Sequence, residues 1–237
     1  MAVSAVVSNG WREVLARVFA RDIAQAHAEF SRFKIGEGGS SGGTPITPDA
    51  TYTDLESEGA PLAGGGTATF TNGSPNVVGV GTSFTTDVSI GEWIKPGPTY
   101  LGGGATPQSA GDPGSEYDEW GEVQSITDNQ NLVLTANYTG VTTSPVREVR
   151  KASEPLFTFR KALTDPDVVY LSGLPAITEI TSTVASAEAN SDQLGNNPVL
   201  YELGIFDSNG VMAIYCTFDA QTKVSGVQLV SILDLTV

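Results

Sequence analysis

The feature that most constrains the fold is a strand–turn–strand pattern in Asn197–Met212. The segment Val199–Phe206 is mostly apolar, the next four residues are Asp-Ser-Asn-Gly, and apolar residues resume at Val211. Asp, Asn and Gly tolerate the left-handed backbone of tight hairpin turns, so the pattern predicts a β-hairpin. Glu202 lies inside the apolar first strand, and we expect its carboxylate to have a polar partner or an edge position, because burying an unpaired charge is costly.

Short apolar runs separated by turn residues continue through the rest of the chain. The predicted strands of the middle region are Thr67–Thr71, Asn76–Val80, Ile90–Pro96, Trp120–Ile126, Leu132–Leu134 and Val146–Arg150. Those of the last region are Phe157–Ala162, Val168–Leu171, Ile177–Ser182, Val199–Phe206, Val211–Phe218 and Val227–Val237. Short strands at this spacing are typical of antiparallel sandwiches and small barrels. The predicted fold class is therefore mainly β.

One segment, Asn9–Phe33, has a helical period instead. Its apolar residues recur at three- and four-residue steps, and they are Trp11, Leu15, Val18, Phe19, Ile23, Ala26, Phe30 and Phe33. This spacing predicts a single N-terminal amphipathic α-helix. Ser8 or Asn9 is the expected N-cap, and the helix must end by Gly36.

Changes in composition divide the chain into three parts. Glycine-rich loops are expected at Gly36–Gly43 and Gly97–Gly114. We expect residues 1–63 to form the helix and an extended linker, residues 64–152 an inserted antiparallel β-module, and residues 153–237 a C-terminal β domain that packs with the N-terminal part. A chain of 237 residues is long enough for such cores without disulfides.

Charge and composition exclude several partners and cofactors. With 12 basic against 27 acidic residues the net charge is −15, which disfavours binding to nucleic acid. No apolar segment is long enough to span a bilayer, and the N-terminus lacks a signal sequence, so synthesis in a cytoplasm is expected. One histidine and one cysteine cannot build a zinc site, and Cys216 is expected to act as a small buried hydrophobe. Calcium at Asp128, Asn129 and Asn131 stays an alternative, although their spacing does not complete an EF-hand loop.

Several short motifs, taken in order, resemble a known family. They are Phe33–Gly39 (Phe-Lys-Ile-Gly-Glu-Gly-Gly), Thr53–Leu55, Tyr201–Asp207 (Tyr-Glu-Leu-Gly-Ile-Phe-Asp), Gly210–Met212 and Lys223. Together with the preceding helix they resemble the N-terminal, baseplate-attachment domain of bacteriophage tail-collar fibre proteins. That family has a helix, a GxGG loop, variable strands, and a Glu-containing hairpin followed by a lysine.

The middle region resembles a separate β-module of phage virion proteins. The resemblance rests on Gly79–Phe84 (Gly-Val-Gly-Thr-Ser-Phe), Gly91–Ile94 and Val123–Asp128. Typical fibre proteins continue into a shaft and a receptor-binding tip, whereas this sequence stops at Val237. The two resemblances imply a non-enzymatic anchor or adaptor in the tail, baseplate or neck of a virion. They also imply a trimer or hexamer that contacts other virion proteins.

Two segments are candidate contact surfaces. The helix contributes Trp11, Val14, Val18 and Phe19, and the last predicted strand contributes Val227, Leu229, Val230 and Leu233. The alternative for each is packing inside its own domain, as apolar stripes ordinarily do. We expect no catalytic residue, no metal and no cofactor.

Two other functions remain open on the sequence. A carbohydrate- or receptor-binding module would use aromatic side chains of the middle region, namely Trp93, Tyr117 and Trp120 with Tyr100 and Tyr138. A polysaccharide hydrolase would need two carboxylates, such as Asp118 with Glu119 or Glu92 with Glu122. Adjacent carboxylates on a strand point to opposite faces, so the hydrolase is the weaker of the two.

Overall fold

The computed structural model describes residues 3–13, 29–97, 119–140, 142–143, 147–171, 177–208 and 210–236. The chain forms two compact units. Unit 1 contains the described residues up to Leu55 and from Phe159 onwards, and unit 2 contains those between Glu56 and Thr158. The sequence placed the corresponding limits at residues 63 and 153.

Strands dominate the described residues. Numbered along the chain they are β1 (Val3–Val7), β2 (Phe30–Gly36), β3 (Ser40–Ser41), β4 (Thr44–Pro45), β5 (Ala60–Pro61), β6 (Thr67–Phe70), β7 (Asn76–Val80), β8 (Trp93–Pro96), β9 (Gly121–Ile126), β10 (Asn131–Leu134), β11 (Arg147–Ala152), β12 (Thr158–Ala162), β13 (Val168–Leu171), β14 (Ile177–Val184), β15 (Val199–Asp207), β16 (Met212–Thr222) and β17 (Leu229–Thr236). Residues 9–13 are helical, and short helical turns lie at Glu56–Glu58, Phe84–Asp87 and Asp165–Asp167. The mainly β prediction is confirmed.

Unit 1 is built from a larger and a smaller sheet. The larger has the order β1-β16-β15-β2-β12, and the smaller has the order β13-β14-β17. Phe33 and Leu203 of the larger sheet and Val184 and Leu233 of the smaller one line the same cavity, so the two sheets face each other. The pairings β1–β16, β15–β16, β2–β15, β13–β14 and β14–β17 are all antiparallel.

The predicted hairpin is confirmed and forms the centre of the larger sheet. Its turn is closed by Asp207, whose backbone carbonyl accepts the Gly210 N–H at 3.1 Å and whose Oδ1 accepts the Val211 N–H at 2.7 Å. Gly210 has a φ of 82°, the left-handed backbone for which glycine is suited. Glu202 is buried, and the Tyr215 hydroxyl donates a hydrogen bond of 2.8 Å to its Oε2. The carboxylate therefore has the polar partner that the sequence analysis expected.

The N-terminal helix is shorter than predicted at its C-terminal end. Ser8 caps the helical residues 9–13, since the Trp11 N–H donates to its Oγ at 3.1 Å. The prediction was wrong for Phe30 to Phe33, which belong to β2. There, pairing with β15 buries Phe33, and this tertiary contact overrides the local helical period. Residues 14–28 lie outside the described residues.

Unit 2 is a closed barrel. Its described sheet has the order β5-β11-β6-β7-β10-β9-β8, and β11 also pairs with β8, which closes the ring. Closure leaves few unpaired strand edges. The interior is apolar and contains Phe70, Val77, Ile94, Val123 and Leu134.

A buried ion pair lies at one side of this barrel. Lys95 of β8 and Glu58 of the turn Glu56–Glu58 are joined by a 2.9 Å contact, and both side chains are fully inaccessible to solvent. The Lys95 ammonium also lies 4.7 Å from the centroid of the Trp120 ring, within cation–π range. The charged groups thus compensate each other inside the unit.

Candidate assembly surface

The smaller sheet of unit 1 has two chemically different faces. Along β17 the side chains alternate, with Leu229, Ser231 and Leu233 half-buried and Val230 and Ile232 exposed. Such alternation separates an inner from an outer sheet face. The pairing registers place the following residues together on what we call the outer face: Val169, Leu171, Ile177, Glu179, Thr181, Thr183, Val230, Ile232 and Asp234.

The outer face exposes aliphatic side chains. Ile232 is 60% exposed, Val230 53%, Leu171 43% and Val169 38%. These residues come from the two outer strands of the sheet, and the threonines of β14 lie between them. Exposed aliphatic residues gathered on one surface are typical of protein contact sites.

Strand β17 also has an open edge. It pairs along all its residues with β14 and, within the described chain, with no other strand. An open edge presents backbone N–H and C=O groups that a further strand can pair with. The outer face and this edge together form the candidate assembly surface.

Two carboxylates interrupt the aliphatic character of the outer face. Glu179 and Asp234 lie directly opposite each other in the β14–β17 register. Neither takes part in any of the ion pairs that the described residues form. Like charges directly opposite each other on one sheet face are destabilising. The pair therefore costs stability unless a positive group comes near it.

The inner side of the same sheet borders an apolar cavity of about 100 Å³. Its wall includes Phe33, Leu203, Cys216 and Leu233, and none of the residues that line it is charged. Burial raises the pKa of the Cys216 thiol to about 12, so the thiol is neutral. This agrees with the expectation that Cys216 acts as a small hydrophobe.

The contact residues predicted for the last strand do not all lie on the same side of the smaller sheet. Leu229 and Leu233 line the cavity on the inner side. Val230 also borders the cavity, but the register places it on the outer face, where it is 53% exposed. Val227 is 41% exposed, but it precedes the strand. The strand begins at Leu229 and not at Val227 as predicted, because the chain makes a turn there, in which the Val227 N–H donates to the Val224 carbonyl.

The predicted contact residues of the N-terminal helix do not form a free surface where they are described. Trp11 is only 4% exposed, and its ring lies 5.2 Å from that of Phe30. It therefore packs within unit 1, which corrects its assignment as a contact residue. Val14, Val18 and Phe19 lie outside the described residues.

The aromatic residues proposed as a ligand platform are largely used for packing. Trp120 is 4% exposed and its indole N–H donates to the Leu156 carbonyl at 2.9 Å. Tyr138 is 2% exposed and its ring lies 5.3 Å from that of Phe70 in the barrel interior. Trp93 is half-buried on β8. Tyr100 and Tyr117 lie outside the described residues, so the candidate residues that are described, Trp93, Trp120 and Tyr138, provide no open platform.

The carboxylates considered for hydrolysis do not form an isolated pair. The Lys151 ammonium contacts Glu92 at 3.3 Å, and the Thr135 hydroxyl donates to Glu122 at 3.3 Å. Asp118 lies outside the described residues. Glu92 and Glu122 are therefore each held by a separate partner.

The residues considered for calcium are engaged in a turn. Asp128 accepts the Gln130 N–H at 2.7 Å and the Asn131 amide at 3.0 Å, and the pKa of its carboxyl is lowered first by the Gln130 N–H and then by the Asn131 side chain. The described residues contain no group of three or more His, Cys, Asp or Glu side chains that could hold a metal ion.

None of the described helices is both long and apolar enough to cross a bilayer.

The motifs on which the family resemblance rests contact each other in unit 1. Lys34 of the first motif forms a 2.6 Å ion pair with Asp54 of the second. A side chain at Gly204 would lie 2.5 Å from Leu55, so only glycine lets the hairpin approach that segment so closely. The motifs are far apart in sequence but form one packed structure.

The motif lysine, Lys223, is buried at the end of β16. Its Nζ donates to Asn190 Oδ1 at 2.5 Å and to the Val224 carbonyl at 3.2 Å. Burial lowers the pKa of Lys223, and the charge of Glu188 opposes this shift. Lys223 thus holds the loop before β15 against the end of β16.

Glu188 in that loop contacts Lys161, and its charge also acts on Lys223. Its carboxylate accepts a hydrogen bond from the Lys161 ammonium at 2.9 Å and one from the Ala185 N–H at 2.8 Å. Burial raises the pKa of the Glu188 carboxyl. The hydrogen bond from the Ala185 N–H and the hydrogen bond and charge of Lys161 lower the pKa by more than burial raises it, so the pKa is lowered overall.

The lowered pKa of Glu188 predicts an acid-sensitive contribution to stability. Because the folded pKa lies below the unfolded one, the contribution is complete above about pH 4.5 and is lost as the pH falls through the folded pKa. We expect Glu188→Gln to lower the free energy of unfolding by about 1 kcal/mol at pH 7, and less in acid. Urea unfolding at pH 7 and pH 3, with Glu154→Gln as an exposed control, measures this. An equal loss at both values would contradict it.

The chain matches no model of a known protein family, no curated protein and no solved structure.

Proposed function

We propose that the chain is a non-enzymatic structural protein of a tailed-phage virion. It acts as an oligomeric adaptor in the tail, baseplate or neck and connects fibres or neighbouring tail components. The observation that carries the proposal is the outer face of the smaller sheet, with its exposed aliphatic side chains beside the open edge of β17.

The physical support is that association would stabilise both groups of atoms, the exposed aliphatic side chains and the edge backbone. Burying Val230 and Ile232 removes apolar surface from water, and a strand added to β17 satisfies its free backbone groups. The family resemblance supports the position in a virion, since it covers both ends of the chain and the middle module.

Incorporation into phage particles tests this function. In a phage that lacks the gene for this chain, we expect wild-type protein supplied in trans to be found in purified particles and to be labelled by antibody at the tail, baseplate or neck. The double variant Val230→Asp/Ile232→Asp should be incorporated poorly, because it places charge on the outer face.

A matched control separates loss of contact from loss of folding. Val78 and Val80 of β7 in unit 2 are also alternate residues of one strand and are 50% and 61% exposed. Val78→Asp/Val80→Asp should therefore be incorporated normally. Absence of the wild-type chain from particles would overturn the proposal.

Self-association is the second expected property of such an adaptor. The chain has a mass of 24.7 kDa. We expect light scattering after size exclusion to give a defined multiple of this mass. A concentration-independent monomer would contradict the oligomeric part of the proposal.

A further inference from the structure

We infer that the open edge of β17 binds a strand of a different protein, and that this strand carries a lysine or arginine next to alternating apolar residues. The inference rests on the proposed function, because it specifies the neighbouring component that the adaptor contacts. It is drawn from the edge, the outer face and the carboxylate pair described above.

The geometry of β17 favours a strand as the occupant. β17 has eight residues and is paired throughout with β14, so its backbone is already held in an extended form. An added strand would gain a ladder of main-chain hydrogen bonds along the free edge. Its side chains on the outer side would lie beside Val230, Ile232 and Asp234.

The carboxylate pair determines the charge of that strand. A basic residue opposite Asp234 would also lie near Glu179, which is the cross-strand neighbour of Asp234. One positive charge would thus attract both carboxylates, and it would reduce the repulsion that the free protein retains.

The same charges disfavour a second copy of this chain. The segment Val224–Val237 contains no lysine or arginine. A β17 strand of another copy would place no positive charge beside Glu179 and Asp234, so their repulsion would remain. Each copy also carries a net charge of −15. A basic partner strand is electrostatically complementary, whereas a second β17 is not.

The register specifies the sequence pattern of the partner. The described pairings within unit 1 are antiparallel, and in an antiparallel addition the residue facing Asp234 precedes those facing Ile232 and Val230. The outer-side positions of the partner strand, which face Asp234, Ile232 and Val230, should therefore be basic, apolar and apolar in that order. The position facing Leu233 lies on the inner side, where Leu233 borders the apolar cavity, so an apolar residue is favoured there.

A synthetic peptide tests this pattern with the full chain. The probe is fluorescein-labelled Lys-Leu-Val-Thr-Val with Gly-Ser flanks, and its binding is measured by fluorescence anisotropy and by shifts of isoleucine and valine methyl signals. We expect saturable binding that perturbs Val230 and Ile232 and weakens as salt is raised. The charge-reversed peptide Glu-Leu-Val-Thr-Val should bind more weakly, by about fivefold or more.

Variants of the protein connect the binding to the carboxylate pair. Asp234→Asn/Glu179→Gln should weaken the lysine peptide by about fivefold or more and abolish the preference over the glutamate peptide. The same double variant should raise the unfolding midpoint of the free protein, because it removes like charges. Glu154→Gln, an exposed carboxylate of unit 2, should change neither result.

Several results would overturn the inference. These are no saturable binding of the lysine peptide, equal binding of the two peptides, unchanged binding by the double variant, or methyl shifts confined to residues away from β17. Self-association through β17 that strengthens with salt would identify a second copy as the occupant instead. Particle incorporation is measured separately, so failure of the peptide test leaves the proposed function standing, and absence from particles leaves a measured peptide affinity in place.

Discussion

Replacement of Glu58 by Gln should lower the free energy of unfolding by about 3–5 kcal/mol, as expected when one partner of a buried ion pair is removed. Glu58 and Lys95 are in contact at 2.9 Å, and neither side chain is exposed to solvent. Without the Glu58 charge, the Lys95 ammonium would remain buried beside Trp120 with no compensating carboxylate at this position. The desolvation cost of that charge makes the expected effect large.

Two further variants separate the ion pair from other effects. Glu56→Gln changes an exposed carboxylate of the same helical turn and should cost less than about 0.5 kcal/mol. Glu58→Leu/Lys95→Met replaces both charges and should recover much of the loss, because apolar residues can substitute for a buried ion pair. Urea unfolding followed by circular dichroism gives the free energies. An equal loss for Glu56→Gln and Glu58→Gln would contradict the argument.

The strands of the hairpin could be predicted because their signal is local. The run Val199–Phe206 and the Asp-Ser-Asn-Gly turn contain both the apolar pattern and the turn residues, and β15 and β16 follow them closely. In contrast, β1 was not predicted, since a short edge strand at the N-terminus is defined by its pairing with the distant β16. The helical prediction for Phe30–Phe33 was wrong for the same reason, because β15 determines the conformation of β2.

The candidate assembly surface could be predicted only in part. The last predicted strand was a candidate contact surface, and one of its predicted contact residues, Val230, is 53% exposed on the outer face. The sequence could not show that Glu179 lies opposite Asp234, because this requires the β14–β17 register. It also could not show that Leu229 and Leu233 line a cavity, since that depends on how the smaller sheet packs on the larger one.

Buried charges were the least predictable feature. Lys34 and Lys95 are both fully buried, although lysine is among the residues most often exposed. Their partners, Asp54 and Glu58, lie 20 and 37 positions away in the sequence. Only Glu202 could be recognised in advance, since it interrupts an otherwise apolar strand.

Replacement of Gly39 by Ala should destabilise unit 1 by about 2–5 kcal/mol, the sum of a backbone cost and a packing cost. Gly39 has a φ of 72°, a conformation that residues with a side chain adopt unfavourably. A Cβ at this position would lie 2.8 Å from the Cβ of Glu202 and 3.2 Å from the Tyr215 hydroxyl. The added methyl group would therefore displace the buried hydrogen bond between Tyr215 and Glu202.

Gly42 provides the matched control, because it differs in the packing term alone. It lies three residues further on, in the turn between β3 and β4, with a φ of 58°, and a Cβ there would have no neighbour within 4 Å. We expect Gly42→Ala to cost about 1–2 kcal/mol from the backbone alone, so the difference between the two variants measures the contact with Glu202. Equal unfolding midpoints in urea would show that the contact contributes nothing. A larger loss of unfolding free energy for Gly39→Ala than for Gly42→Ala would explain why the glycine-rich motif and the distant Glu202 hairpin occur together in one chain. The missing side chain at Gly39 leaves the space that Glu202 occupies.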